Sequence, residues 1–174
     1  MKPRLLAIGL CALLGACAEL TPPAPPAPPP PGPTANFHAR EFAWSAERGS
    51  SGIRGAVDYY RDGRHYSCAG GTAVLTPDAP YSRQRIEQLY GSSERAALPV
   101  EEVRSRQANR PSDAYSSFVR RATCDGQGKF SFQGLPAGGW FVIVVAQPIG
   151  GGQSMALMRR VDTREGVVRN MTLD

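Results

Sequence analysis

The sequence predicts a mainly β protein, a sandwich of short strands with one short helix. Three observations predict it. Lys129-Phe130-Ser131-Phe132-Gln133 alternates polar and aromatic residues, the period of a strand with one buried face. Trp140 to Ala146 reads Trp-Phe-Val-Ile-Val-Val-Ala, apolar on both faces and rich in β-branched residues, which suits a central strand. Turn-forming glycine, proline and aspartate separate such runs, and many short strands with turns between them indicate a sandwich.

Taken in order, Ile53 to Tyr60 forms a first strand, closed by Asp62-Gly63, a pair suited to a tight hairpin turn. Arg64 to Ser67 and Thr72 to Thr76 supply two more. A helix follows. Ser82 is placed to cap it, Ile86, Leu89 and Tyr90 share one face, and Gly91 ends it. Residues 92–114 are polar and weakly patterned, and read as an exposed loop with room for a short helix. Asp125-Gly126-Gln127-Gly128 turns the chain into Lys129 to Gln133, and residues 134–139 bend it into the central strand. Pro148 and Gly150 to Gly152 stop that strand. Ser154 to Val161 and Val167 to Leu173 complete the set. Ahead of the strands, Phe37, Phe42 and Trp44 supply an edge strand or a packing arm. From about Ser50 roughly 125 residues remain, the size of one domain with one core.

The N-terminal residues differ in kind. Lys2 and Arg4 precede an apolar run, Leu5 to Leu14, too short to span a bilayer and suited to a secretory signal. With Leu14-Gly15-Ala16-Cys17 it resembles the lipobox of bacterial lipoproteins, though Ala or Ser is more usual where Gly15 stands. The resemblance implies a signal over residues 1–17, an acylated Cys17 and, with no aspartate following it, an outer-membrane address on the periplasmic face. Ala16-Cys17-Ala18 also matches a small-x-small cleavage site that would release a soluble periplasmic protein. Thr21 to Pro33 holds nine prolines in thirteen residues. Such a run adopts polyproline II at about 3.1 Å per residue, on the order of 40 Å when extended, and makes a semi-rigid stalk. Residues 18–49 thus form a tether and arm, and 50–174 the sandwich.

Taking Lys2 and Arg4 from the 20 basic residues leaves 18 against 15 acidic ones, about +3, with Lys129 the one lysine after the signal. No basic cluster interleaves with stacking aromatics, so nucleic acid is not expected as a partner. Cys11 leaves with the signal and Cys17 carries lipid, which leaves Cys68 and Cys124 as an even pair in an oxidising compartment. A bridge between them would add ~4 kcal/mol in the chain-entropy model. The other reading is two buried thiols.

Ile53-Arg54-Gly55-Ala56-Val57, Thr72-Ala73-Val74-Leu75-Thr76-Pro77, and the stretch from Cys124 through Phe132 to Gly134-Leu135-Pro136-Ala137-Gly138 resemble carboxypeptidase regulatory-like domains. The resemblance covers roughly 52–174. It implies a transthyretin-like antiparallel β-sandwich of about seven strands, here with the helix carried in an inserted connection, Asp78 to Ala122. It implies no peptidase activity. The related collagen-adhesin repeats crosslink through a buried lysine on an early strand, which Lys129 does not match.

Chemistry-bearing patterns are few. Glu101 and Glu102 are neighbours that diverge on helix or strand alike and cannot converge as an acid–base pair. His38 and His65 have no nucleophile-elbow serine nearby, and two cysteines with two isolated histidines make no metal cluster. Gly70-Gly71 and Gly150-Gly151-Gly152 lack the lysine and serine or threonine of a phosphate cradle. No cofactor is implied and no catalytic residue is assigned. The candidate ligand residues are Tyr81, Arg83, Arg85 and Tyr90, types favoured at interfaces. Against that, Arg83 and Glu87 make an ordinary helical pair and Tyr90 can pack beneath the helix. The expectation is a non-enzymatic lipoprotein, held to the membrane by its anchor, whose sandwich is structural or binds an envelope protein. The alternative is a cell-wall glycan, suggested by Trp44, Trp140 and the arginines.

Overall fold

Asp58 marks where the chain leaves one sheet for the other, and the first expected strand breaks there. A computed structural model describes residues 36–106 and 113–174. The signal, Cys17 and the proline-rich stalk lie outside the described residues. The strands are β1 (Ser51–Val57), β2 (Tyr59–Arg61), β3 (Arg64–Ser67), β4 (Thr72–Pro77), β5 (Arg95–Pro99), β6 (Arg120–Thr123), β7 (Lys129–Leu135), β8 (Gly138–Pro148), β9 (Met155–Thr163) and β10 (Val168–Leu173). The helices are α1 (Ala43–Ala46), α2 (Pro80–Tyr90), α3 (Val100–Ser105) and α4 (Asp113–Ser116), with a 3-10 turn at Ala39–Glu41.

The smaller sheet runs β10-β1-β7. The larger one is organised by β8, which pairs along one edge with β9 and along the other with β4 and then β3. β5 extends it beyond β9, β6 beyond β4, and β2 beyond β3. All these pairs are antiparallel except β1 with β10, which is parallel and brings the chain's end beside its first strand.

The sandwich core forms between the inner faces. Ile53, Phe132, Leu75, Trp140, Val142, Val144 and Leu157 are all buried there. Each such side chain contributes ~1.5–3 kcal/mol relative to exposure. Gly55 is required by this packing, since a Cβ there would stand 2.1 Å from Cζ of Phe130. Trp140 donates its indole N–H to Thr163 Oγ1 at 3.1 Å, so its one polar atom is satisfied inside the core. Cys68, just after β3, is bridged to Cys124 before β7, with Cα atoms 5.8 Å apart.

Four expectations are corrected. The first strand ends at Val57, because the Asp58 N–H turns to the Leu173 carbonyl at 2.9 Å and Tyr59 onward joins the larger sheet. The polar stretch 92–114 contains β5 as well as α3. Ala96, Ala97 and Leu98 have weak strand propensity, yet pair in full with Met158, Leu157 and Ala156. β6, to which the sequence reading assigned no strand, pairs with β4 alone among the described strands. About seven strands therefore become ten among the described residues. Finally, Ser82 is not the N-cap of α2. Pro80 starts the helix, where its missing N–H costs nothing, and Ala79 is the cap. Ser82 Oγ instead accepts the Ala79 N–H at 2.9 Å and donates to the Pro77 carbonyl. Gly91 does end α2, at φ 72°.

Candidate functional site

α2 lies on the outer face of the larger sheet, where Ile86 and Tyr90 cover Phe141, Ala156 and Met158. That placement decides what the four sequence-nominated residues do. Tyr90 is buried, and burial pushes its hydroxyl pKa up to about 12. Tyr81 is half-buried in an aromatic cluster, edge-on to Phe37 at 5.6 Å and to Tyr115 at 5.1 Å. Phe42 is fully buried in the same cluster, so the N-terminal segment is a packing arm and not an edge strand. Arg85 is half-buried and close enough to Tyr115 to act on its charge. Arg83 reaches back to Asp78 by two bonds, 2.9 and 2.7 Å, in place of the expected Glu87 partner. Its partner's carboxylate is 1% exposed and also accepts Arg160 Nε at 2.7 Å. A buried carboxylate between two guanidiniums ties the start of α2 to β9.

The tryptophans are packed. Trp140 is fully buried, Trp44 stands edge-on to it at 5.0 Å, and the Arg120 guanidinium lies 5.5 Å from the Trp140 ring centroid. Partial burial draws the Arg120 pKa down. Trp140 offers a sugar no free face, and Trp44 is half-buried against the core. Glu101 and Glu102 diverge on α3 to Arg104 and Arg106 respectively. Among the described residues no three of His, Cys, Asp and Glu are grouped to hold a metal.

A groove of about 770 Å³ opens where β10 of the smaller sheet runs beside β9 of the larger. Arg159, Arg160, Arg164 and Arg169 line it. Arg159 donates to the Thr172 carbonyl at 2.6 Å and to Asp174 at 3.1 Å. Arg160 is engaged by Asp78 and by both oxygens of Asp162 at 2.9 Å, and these bonds, Asp78 first, hold its pKa above the usual arginine value. Arg164 and Arg169 form no ion pair and no side-chain hydrogen bond among the described residues. The backbone beneath Arg164 is nonetheless fixed. Its carbonyl accepts Ser51 Oγ at 2.7 Å and the Val167 N–H at 3.0 Å, and Ser50 Oγ accepts the Gly166 N–H at 2.9 Å. Sequence reasoning passed over this groove, although four arginines within the eleven residues from Arg159 to Arg169 were its visible signal.

A second exposed feature lies on the part of the larger sheet's outer face that α2 leaves bare. Tyr60, 63% exposed, stacks on His65 at 4.6 Å and 17°. Ile149 beside them is 66% exposed, its N–H bonded to the His65 carbonyl at 2.9 Å.

Compared with known proteins, the chain matches no family model, and no curated protein matches it. A Pseudomonas aeruginosa protein, provisionally named a carbohydrate-binding protein, shares the fold at a TM-score of 0.55 and 16% identity, over 81% of this chain and 99% of its own. At that identity the likeness speaks for the fold alone. The pilus backbone of Streptococcus pneumoniae aligns at 15% identity over 70% of this chain and 40% of its own, with a TM-score of 0.32 that carries no argument.

Proposed function

We propose that this chain is a non-enzymatic module of the bacterial envelope, anchored by lipid on Cys17, that binds another envelope molecule through the β9–β10 groove. The observation that carries the reading is the unequal use of arginine within one groove. Arg159 and Arg160 are neutralised by Asp174, Asp162 and Asp78, whereas Arg164 and Arg169 keep their charge available on a pinned turn and a paired strand. A surface built that way is preorganised for a partner and lacks any acid–base pair aimed at a substrate. The lipobox-like residues around Cys17 support the address, and the resemblance to carboxypeptidase regulatory-like domains agrees with a non-catalytic role. The name given to the P. aeruginosa protein agrees with binding.

A second reading rests on Tyr60. A ring backed by the parallel His65 imidazole presents a flat apolar face, on which a neutral sugar could stack in place of the buried Trp140 and the half-buried Trp44. Envelope crosslinking followed by affinity capture on this chain tests both. Partner recovery lost in Arg164→Gln with Arg169→Gln supports the groove, whereas loss only in Tyr60→Ala supports the sheet face and removes the groove from the account. Palmitate labelling that vanishes in Cys17→Ala supports the anchor, and an unlabelled wild-type chain ends it.

A further inference from the structure

We infer that the groove's ligand is an acidic polysaccharide, a sugar chain bearing carboxylate or phosphate groups, with Arg164 and Arg169 as its oxyanion receptors. This rests on the reading of the groove as the contact site and names what fills it.

Charge gives the first argument. Guanidinium presents a planar fork of donors that matches carboxylate and phosphate oxygens two at a time, and Arg164 and Arg169 spend none of those donors among the described residues. Of the acids in or beside the groove, Asp162 is bonded through both oxygens to Arg160 and Asp174 through one to Arg159, and Glu94 in the lining pairs with neither Arg164 nor Arg169. Size gives the second. About 770 Å³ lies within the range of ~300–1,000 Å³ in which organic ligands are held, far more than a lone anion fills. The remaining lining gives the third. Asn170 and Thr172 offer an amide and a hydroxyl for sugar hydroxyls, and Val167, 49% exposed, offers an apolar contact for ring C–H groups. The arrangement alternates charge, neutral hydrogen bonding and a small apolar patch, the chemistry of an acidic sugar chain. An acidic peptide laid against the free edge of β10 is the competing occupant.

The test uses the full chain in detergent micelles and four immobilised polymers: polygalacturonate, phosphomannan, methyl-esterified pectin and polyglutamate. The expected result is binding to polygalacturonate or phosphomannan, whichever anion the groove prefers, weakening as salt is raised. Little binding to the ester or to polyglutamate is expected. Arg164→Gln and Arg169→Gln each lower the affinity roughly tenfold, as the loss of a charge-assisted hydrogen bond predicts. Arg164→Lys keeps charge but loses the fork and falls between. Equal binding to the ester, equal or tighter binding to polyglutamate, or undiminished binding by the double Gln variant overturns the inference. Retention on neither acidic glycan, together with an envelope protein captured through the same two arginines, overturns it too and leaves the binding reading standing.

Discussion

Two sets of arginines, one of which reaches into the groove through Arg160, have opposite roles. Arg83 and Arg160 converge on Asp78, whose carboxylate is 1% exposed, and fasten α2 to β9. Arg164 and Arg169 line the neighbouring groove and pair with no carboxylate among the described residues. The side chains are chemically identical, so the difference comes from where the acids fall. An arginine is structural where the fold supplies a desolvated carboxylate, and available where it does not. Residue type alone could not separate the two sets.

Substitutions break or sharpen that contrast in a definite order. The largest effect belongs to Asp78→Ala, which strands two guanidiniums beside a sealed site. Discounted for the partial exposure of both arginines, the cost is about 3 kcal/mol, read as a lower midpoint in urea unfolding. Tyr90, under the same helix, gives the next. Its pKa is raised to about 12 from 10.0, so the unfolded chain loses this proton first as pH rises. The stability from Tyr90 is therefore complete below about pH 10 and is lost between there and about pH 12, by about 2 kcal/mol, and Tyr90→Phe flattens that alkaline limb of a pH–stability curve. Arg83→Ala costs about 1 kcal/mol, since the side chain is half-exposed and Asp78 keeps Arg160. Arg164→Gln and Arg169→Gln change the melting midpoint least, within about 0.5 kcal/mol, as exposed residues without side-chain partners among the described residues should. A large loss of stability in either would place it with the clamp and dissolve the contrast.

Much of the sandwich was legible in the sequence because its strands carry their own pattern. Phe130 and Phe132 alternate inward, and the doubly apolar run at Trp140 marks the strand that organises the larger sheet. β5 was hidden because Ala96 and Ala97 declare no preference and are strands only by pairing with β9. β6 was hidden because Arg120-Arg121-Ala122-Thr123 is an edge too polar to read as buried. Cysteine counting found the Cys68–Cys124 bridge, since only two cysteines follow the lipobox. The site was less legible. Tyr81, Arg83, Arg85 and Tyr90 were nominated by residue type, and three-dimensional neighbours such as Phe37, Asp78 and Phe141 turned Tyr81, Arg83 and Tyr90 into packing and clamping residues. Arg164 and Arg169 gained their setting from the parallel pairing of β10 with β1, a contact between the two ends of the domain that no local pattern announces.

Side-chain NMR of the arginine Nε–H groups during titration with polygalacturonate and with phosphomannan tests the central claim most directly. Arg164 and Arg169 should start mobile and then shift and rigidify with one of the two polymers, while Arg83 and Arg160 stay ordered and unmoved throughout. Resonances of Arg164 and Arg169 that are already rigid without ligand, or that neither polymer moves, would contradict the account.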